Sequence, residues 1–143
     1  MIVHLVKLCA GAESLKDLED RVRRGTKACE KAGRGRVHEH VTRMCPRRDA
    51  ELLDGGSIYW VIKGVVLVRQ RLLGLEKRTG EDGIDRCAIM IDPELVLTEP
   101  QPRRAFQGWR YLPAEDAPKD LKQRSRNRPP PELNMQLAEL GLL

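Results

Sequence analysis

The sequence predicts an α+β fold: a small antiparallel sheet or a small, partly open barrel, flanked by two or three helices. Residues 54–77 (DGGSIYWVIKGVVLVRQRLLGLEK) hold the densest run of β-branched and aliphatic side chains in the chain, which favours strands. The apolar segments after residue 57 are joined by short polar or glycine-containing turns, as in antiparallel sheets. Strands cluster centrally instead of alternating with helices, which indicates α+β rather than a doubly wound α/β fold.

The individual elements follow from side-chain periodicity and from the residues that interrupt it. Leu15, Leu18 and Val22 recur at helical spacing directly after Ser14, a residue that caps helices. Gly64 is interpreted as a bend or bulge between two long strands, and residues 99–104 (EPQPRR) as an extended connector, since proline cannot donate to a strand ladder. The predicted elements are strands over 2–8, 37–44, 58–63, 65–78, 84–91 and 105–112, and helices over 15–31, 47–53 and 132–143.

The chain of 143 residues predicts a single domain over 1–143. Its core is expected within about residues 1–113, followed by a basic, proline-rich segment over 114–131 and a terminal helix over 132–143. No apolar run approaches the roughly 18–20 residues that span a bilayer, and the amino terminus has no basic leader. We therefore expect a cytoplasmic protein without a membrane partner.

The charge pattern indicates a polyanionic partner. The net charge is +5, and 18 arginines stand against 8 lysines. A guanidinium group holds phosphate through two parallel hydrogen bonds, so an arginine-rich basic protein is suited to RNA or a nucleotide.

Aromatic and basic residues combine near residue 109, where Trp109 and Tyr111 alternate with Arg104 and Arg110 along the chain. Rings of this kind stack unpaired bases while guanidinium groups hold phosphates. Core packing is the competing interpretation for Trp60 and Trp109. The predicted nucleic-acid-binding residues are Arg43, Arg69, Arg71, Arg104, Trp109 and Arg110. Arg69 and Arg71 share one face of a strand, where pairing with acids such as Asp85 is the alternative.

Other chemistry has weaker support in the sequence. The four cysteines form no CxxC pair and are expected to be reduced and at least partly buried. His38, His40 and Cys45 could be read as a metal cluster, but nothing fixes a third or fourth ligand, so we expect no metal and no cofactor. No GxSxG, P-loop, GxGxxG or HExxH motif is present. The sequence therefore identifies no catalytic residue.

Several segments carry a resemblance to a known family. They are HVTRMCPRRDAELLDGGSIYWVIKG (40–64), RQRLLGLE (69–76) and GEDGIDRCAIMIDPELVLTEPQPRRAFQGWRYL (80–112). Over nearly its whole length the chain resembles the bacterial domain-of-unknown-function family fourteen-eighty-nine, which implies no activity. A strand ending in Thr42-Arg43, a short helix, Gly55-Gly56 and a strand with Tyr59-Trp60 is also similar to the PUA-like group, including the ASCH and EVE domains. That likeness implies a pseudo-barrel that recognises RNA or modified bases.

Three functions from different classes are compatible with these observations. The first is a PUA-like module that binds RNA or another nucleic acid or nucleotide through arginines and aromatic stacking. The second is a small hydrolase or nucleotide-processing enzyme with His40 as base, which requires His40 within hydrogen-bond reach of a carboxylate or hydroxyl in a cleft. The third is a protein-interaction subunit, favoured if the C-terminal helix exposes its apolar face.

Overall fold

The computed structural model of the protein describes residues 2–104 and 108–121, which form one mixed seven-stranded sheet and two α-helices. The α+β prediction is confirmed at this level, whereas the predicted C-terminal helix lies outside the described residues. The elements are β1 (Val3–Leu8), α1 (Leu15–Lys31), β2 (His38–Thr42), α2 (Asp49–Leu52), β3 (Ser57–Ile62), β4 (Val65–Thr79), β5 (Asp85–Ile91), β6 (Val96–Pro102) and β7 (Trp109–Pro113). A 3₁₀ turn follows at Ala114–Asp116.

Helix α1 has the predicted bounds and the predicted cap. Ser14 is extended (φ −151°), and its hydroxyl accepts a hydrogen bond from the Asp17 amide at 3.2 Å, which satisfies one of the unpaired donors at the helix start. One stripe of the helix is buried, comprising Leu15, Leu18, Val22, Thr26 and Cys29. No helix in residues 2–104 and 108–121 is long and apolar enough to cross a membrane.

The sheet has the order β2-β5-β4-β3-β1-β7, and β6 also pairs with β4. It is mixed, because β1 runs parallel to β3 while all the other pairs are antiparallel. The prediction of a wholly antiparallel sheet, which was based on the short turns, is therefore wrong for the β1–β3 pair. The chain between β1 and β3 contains α1, β2 and α2, which is long enough for the crossover that a parallel pair requires.

Two segments of the sheet differ from the sequence interpretation. Lys63 and Gly64 have φ angles of +50° and +80°, so they form a two-residue hairpin turn rather than a strand end and a bulge. The supposed connector from residue 99 contributes Glu99–Pro102 to β6, where Gln101 pairs with Val66. Its prolines occupy alternate positions, so their missing donors fall on one side of the strand.

The sheet is open, with β2 and β7 as its two ends, and its core is packed around Trp60. The Trp60 side chain is only 2% exposed and its Nε1 donates to Gln70 Oε1 at 2.9 Å, so this tryptophan is a core residue. The Gln70 amide in turn donates to the carbonyl of Asp92 at 2.9 Å. A buried polar chain of this kind is satisfied at each step, as a folded core requires.

Gly56 provides a sharp test of this packing. A Cβ atom at Gly56 would press on the backbone carbonyl oxygens of Leu52 and Val3, neither of which can move without disturbing α2 or β1. We expect Gly56→Ala to reduce the free energy of unfolding by at least about 3 kcal/mol. Gly33→Ala is the matched control, because Gly33 has a positive φ but open space around it and should lose only about 1–2 kcal/mol. Equal losses in urea denaturation would contradict the packing.

Candidate functional site

A pocket of about 590 Å³ lies where the chain leaving β2 meets the start of β7. Its volume falls within the roughly 300–1,000 Å³ typical of small-ligand sites. Three of the six predicted binding residues contribute to it, although β2 and β7 are at opposite ends of the sheet. The lining residues are Thr42, Arg43, Met44, Gly108, Trp109, Arg110 and Tyr111.

Two aromatic side chains of β7 fasten the loop formed by residues 43–48, which we call the 43–48 loop. The Trp109 Nε1 donates to the carbonyl oxygen of Met44 at 2.9 Å. The hydroxyl of Tyr111 accepts hydrogen bonds from the amides of Arg47 and Arg48 at 2.9 and 3.2 Å. The two rings contact each other edge to face, with centroids 4.9 Å apart. The pocket wall is therefore joined to both ends of the sheet.

Arg48 adds a further contact to this junction. Its guanidinium carbon lies 5.2 Å from the centre of the Tyr111 ring, a distance typical of a cation–π interaction. The same group donates to both carboxylate oxygens of Glu51, at 3.0 and 2.6 Å. Arg48 is thus occupied in positioning the loop on α2, and the cations that line the pocket are Arg43 and Arg110.

A disulfide between Cys45 and Cys87 holds the 43–48 loop from the other side. Their Cα atoms are 4.8 Å apart, within bridging range. The expectation that all four cysteines are reduced is therefore wrong for this pair, while Cys9 and Cys29 are unpaired and buried. The two cysteines meet because of the register in which β2 pairs with β5, where Thr42 lies opposite Cys87. The chain bends after Thr42 and so brings Cys45 next to Cys87.

Arg69 lies on the opposite face of the sheet from Trp109. On β1, Lys7 pairs with Trp109 of β7. The preceding residue, Val6, pairs with Tyr59 of β3, which in turn pairs with Arg69 of β4. Because successive residues of a strand face opposite sides, Arg69 and Trp109 lie on different faces of the sheet. Arg69 donates to both oxygens of Asp120 at 2.7 Å and to Ser57 Oγ at 3.0 Å.

Asp120, not Asp85, is therefore the acid that neutralises Arg69. The Arg69 guanidinium lowers the pKa of the Asp120 carboxyl below its ordinary value, as expected for a charge-assisted pair. Asp85 lies instead beside Lys77, with 3.6 Å between Oδ2 and Nζ. The Arg69–Asp120 pair joins β4 to the segment that follows the 3₁₀ turn. Arg69 therefore has a structural role.

Arg71 and Arg104 do not line the pocket. Arg71 is exposed on β4 opposite Ser57, on the same face as Arg69. Arg104 is exposed and precedes residues 105–107, which are outside the described residues together with the aromatic Phe106. Of the six predicted residues, Arg43, Trp109 and Arg110 line the pocket, but the Arg110 side chain lies on the face of the sheet opposite Trp109, since Arg110 pairs with Val6 and alternates with Trp109 along β7.

The sequence interpretation missed Met44 and the hydrogen-bonding role of Tyr111. Tyr111 lies two positions after Trp109, so strand alternation alone would place both rings on one face and was a usable signal. Met44 contributes its carbonyl oxygen to Trp109 and an exposed side chain to the pocket. Nothing local to Met44 indicates this, since its partner is 65 residues away in the chain.

His40 packs against the core and does not meet the requirement for a general base. Its ring packs edge-on against Trp60, with centroids 5.3 Å apart, and its Nε2 is buried without a hydrogen-bond partner in the described part of the chain. Burial, aided by nearby Lys7, lowers the pKa of His40 to about 4. No group of three metal-ligating side chains gathers within residues 2–104 and 108–121.

The buried histidines predict a loss of stability in mild acid. The unfolded chain protonates His40 below its ordinary pKa of 6.5, whereas the folded protein does so only near pH 4. The unfolded state therefore binds more protons in this window, and the free energy of unfolding falls by about 2 kcal/mol between pH 7 and pH 5 from His40 alone. The pKa values of His4 and His38 are lowered in the same direction.

Urea denaturation at pH 7 and pH 5 measures this dependence, with His40→Gln as the comparison. The variant should lose most of the His40 share of the pH dependence. Equal dependence in the two proteins would show that His40 is not buried as a neutral ring.

Comparison with known proteins assigns the family. The family model described as "Protein of unknown function (DUF1489)" matches residues 5–143, which is nearly the entire chain. Neither the curated proteins nor the solved structures gave a match. The resemblance drawn from the central segments is therefore confirmed, and the chain belongs to the DUF1489 family of proteins of unknown function.

Proposed function

We propose that the protein binds single-stranded RNA in the pocket between β2 and β7. An unpaired base stacks on Trp109, and the guanidinium group of Arg43 holds a neighbouring phosphate. The observation that supports this proposal is the meeting of Arg43 and Trp109, from distant parts of the chain, around one pocket of about 590 Å³. Bases stack on aromatic rings regardless of their identity, while guanidinium groups match phosphate in shape and charge.

The fixed position of Trp109 suits a stacking role. Its indole N–H is bonded to the Met44 carbonyl, and its ring packs against Tyr111, so little side-chain freedom remains to be lost when a base binds. Each base stacked on an aromatic ring contributes about 1–3 kcal/mol. The mainly apolar walls of the pocket also favour a flat base over a strongly hydrated ligand.

The arginines of the proposal are fewer than those named from the sequence. Arg69 is left out because Asp120 already neutralises it, and the side chains of Arg71 and Arg110 lie on the face of the sheet opposite Trp109. Arg104 is exposed on the approach to β7 and would extend the contact to a further phosphate. The likeness to PUA-like domains is part of the same proposal, and so is a cytoplasmic location, where the Cys45–Cys87 bond would be exposed to reducing conditions.

Binding of a labelled single-stranded RNA, followed by fluorescence anisotropy at several salt concentrations, tests the proposal. We expect affinity to fall steeply with salt, because bound arginines release counterions from phosphates. Trp109→Ala should weaken binding about tenfold or more, and Arg43→Ala should also reduce the salt slope by about one. Trp109→Phe keeps a ring for stacking but removes the bond to Met44, so it separates the two roles of Trp109.

Arg24→Ala is the matched control. Arg24 is exposed on α1, so this variant loses the same charge away from the pocket and should retain its affinity apart from a small nonspecific loss. Absent binding to both RNA and single-stranded DNA, or binding that ignores salt, would overturn the proposal. Equal losses in Arg24→Ala and Arg43→Ala would show that net charge rather than the pocket determines affinity.

A further inference from the structure

The wall of the pocket continues inward to a lysine. Lys7 on β1 pairs with Trp109 on β7 and with Trp60 on β3, so the three side chains lie next to one another on the same face of the sheet. Lys7 is therefore one strand further in than Trp109. The Lys7 side chain is half-buried.

A histidine approaches the same place from β2. Residues 38, 40 and 42 of this strand share one face by alternation, and Thr42 lines the pocket. His40 is thus the next residue inward from Thr42, and its ring packs on Trp60. Lys7 and His40 flank Trp60 from two different strands, and we call this pair the inner basic subsite.

No acid compensates the inner basic subsite. Lys7 and Arg21 form no ion pair with a carboxylate in the part of the chain that the structure describes, and Arg21 donates instead to the Ala10 carbonyl and the Cys9 sulfur. His40 Nε2 and His38 Nδ1 are buried without partners there. Burial lowers the pKa of Lys7, which shows that its charge is poorly solvated.

Buried donors and cations without partners are costly, and a bound anion would satisfy them. Lys7 and Arg21 lie close enough to His40 to lower its pKa, so they provide the positive potential around the same place. The rings of His38 and His40 are neutral at pH 7, because burial lowers their pKa values, and a neutral imidazole can donate one N–H to a phosphate oxygen. The composition of the cluster therefore favours a small, multiply charged oxyanion.

We propose that the inner basic subsite binds a terminal phosphate of the RNA, so that the protein recognises a phosphorylated chain end. This inference rests on the proposed function. The position of the subsite explains why the phosphate is a terminal one. Lys7 and His40 lie behind Trp109 and Thr42, and an internal phosphodiester would need room for a nucleotide on both sides. A phosphomonoester at a chain end can enter with its base stacked on Trp109.

Calorimetric titration with three versions of one short single-stranded RNA tests the inference. The versions carry a 5′-phosphate, a 3′-phosphate or hydroxyl groups at both ends. We expect one phosphorylated version to bind about tenfold more tightly than the hydroxyl version, as charge-assisted hydrogen bonds would provide. Lys7→Met and His40→Gln should each reduce this ratio towards one, while Arg24→Ala should preserve it. Using the ratio within each variant corrects for any general loss of affinity or folding.

Equal affinity of the wild-type protein for all three versions would overturn the terminal-phosphate inference and leave RNA binding intact. If no version binds, the proposed function fails, and a nucleoside monophosphate and inorganic phosphate then test the subsite alone. Movement of the His40 ring resonances on adding either compound, absent in Lys7→Met, would support an anion subsite. Unchanged His40 resonances would overturn it.

Discussion

Three hydrogen bonds between β7 and the 43–48 loop hold together the two ends of the sheet at the pocket. They run from Trp109 Nε1 to the Met44 carbonyl and from the amides of Arg47 and Arg48 to the Tyr111 hydroxyl. Without them, β2 and β7 would be unrelated ends of an open sheet, and Arg43 would have no fixed position relative to Trp109. Each bond contributes only about 0.5–1.5 kcal/mol net, but together they create the pocket.

The disulfide supports these hydrogen bonds by restraining the same loop. Cys45 is tied to Cys87 on β5, so the loop is held at its middle as well as at Met44, Arg47 and Arg48. Closing a loop over a sequence separation of 42 residues removes chain entropy from the unfolded state, worth about 4 kcal/mol in the chain-entropy description. A restrained loop lowers the entropy lost on binding, and the pocket combines this restraint with the exposed Arg43.

The sequence was sufficient for the elements but not for the contacts between distant strands. Ser14, the bounds of α1 and the apolar run of β3 and β4 are local signals, and the structure agrees with them. The parallel pairing of β1 with β3, the Cys45–Cys87 bond and the neutralisation of Arg69 by Asp120 depend on residues far apart in the chain. Arg43, Trp109 and Arg110 were chosen for their chemistry, and their meeting at one pocket required the fold.

The two indole N–H groups provide the most direct test of a ligand site at the junction of the sheet ends. Trp109 Nε1 lies at the pocket and Trp60 Nε1 is buried on Gln70 Oε1, so a ¹⁵N-correlation spectrum contains one reporter and one internal control. On titration with single-stranded RNA that carries hydroxyl groups at both ends, we expect the Trp109 indole signal to move while that of Trp60 stays in place. RNA binding that leaves the Trp109 signal unchanged would contradict the proposed site.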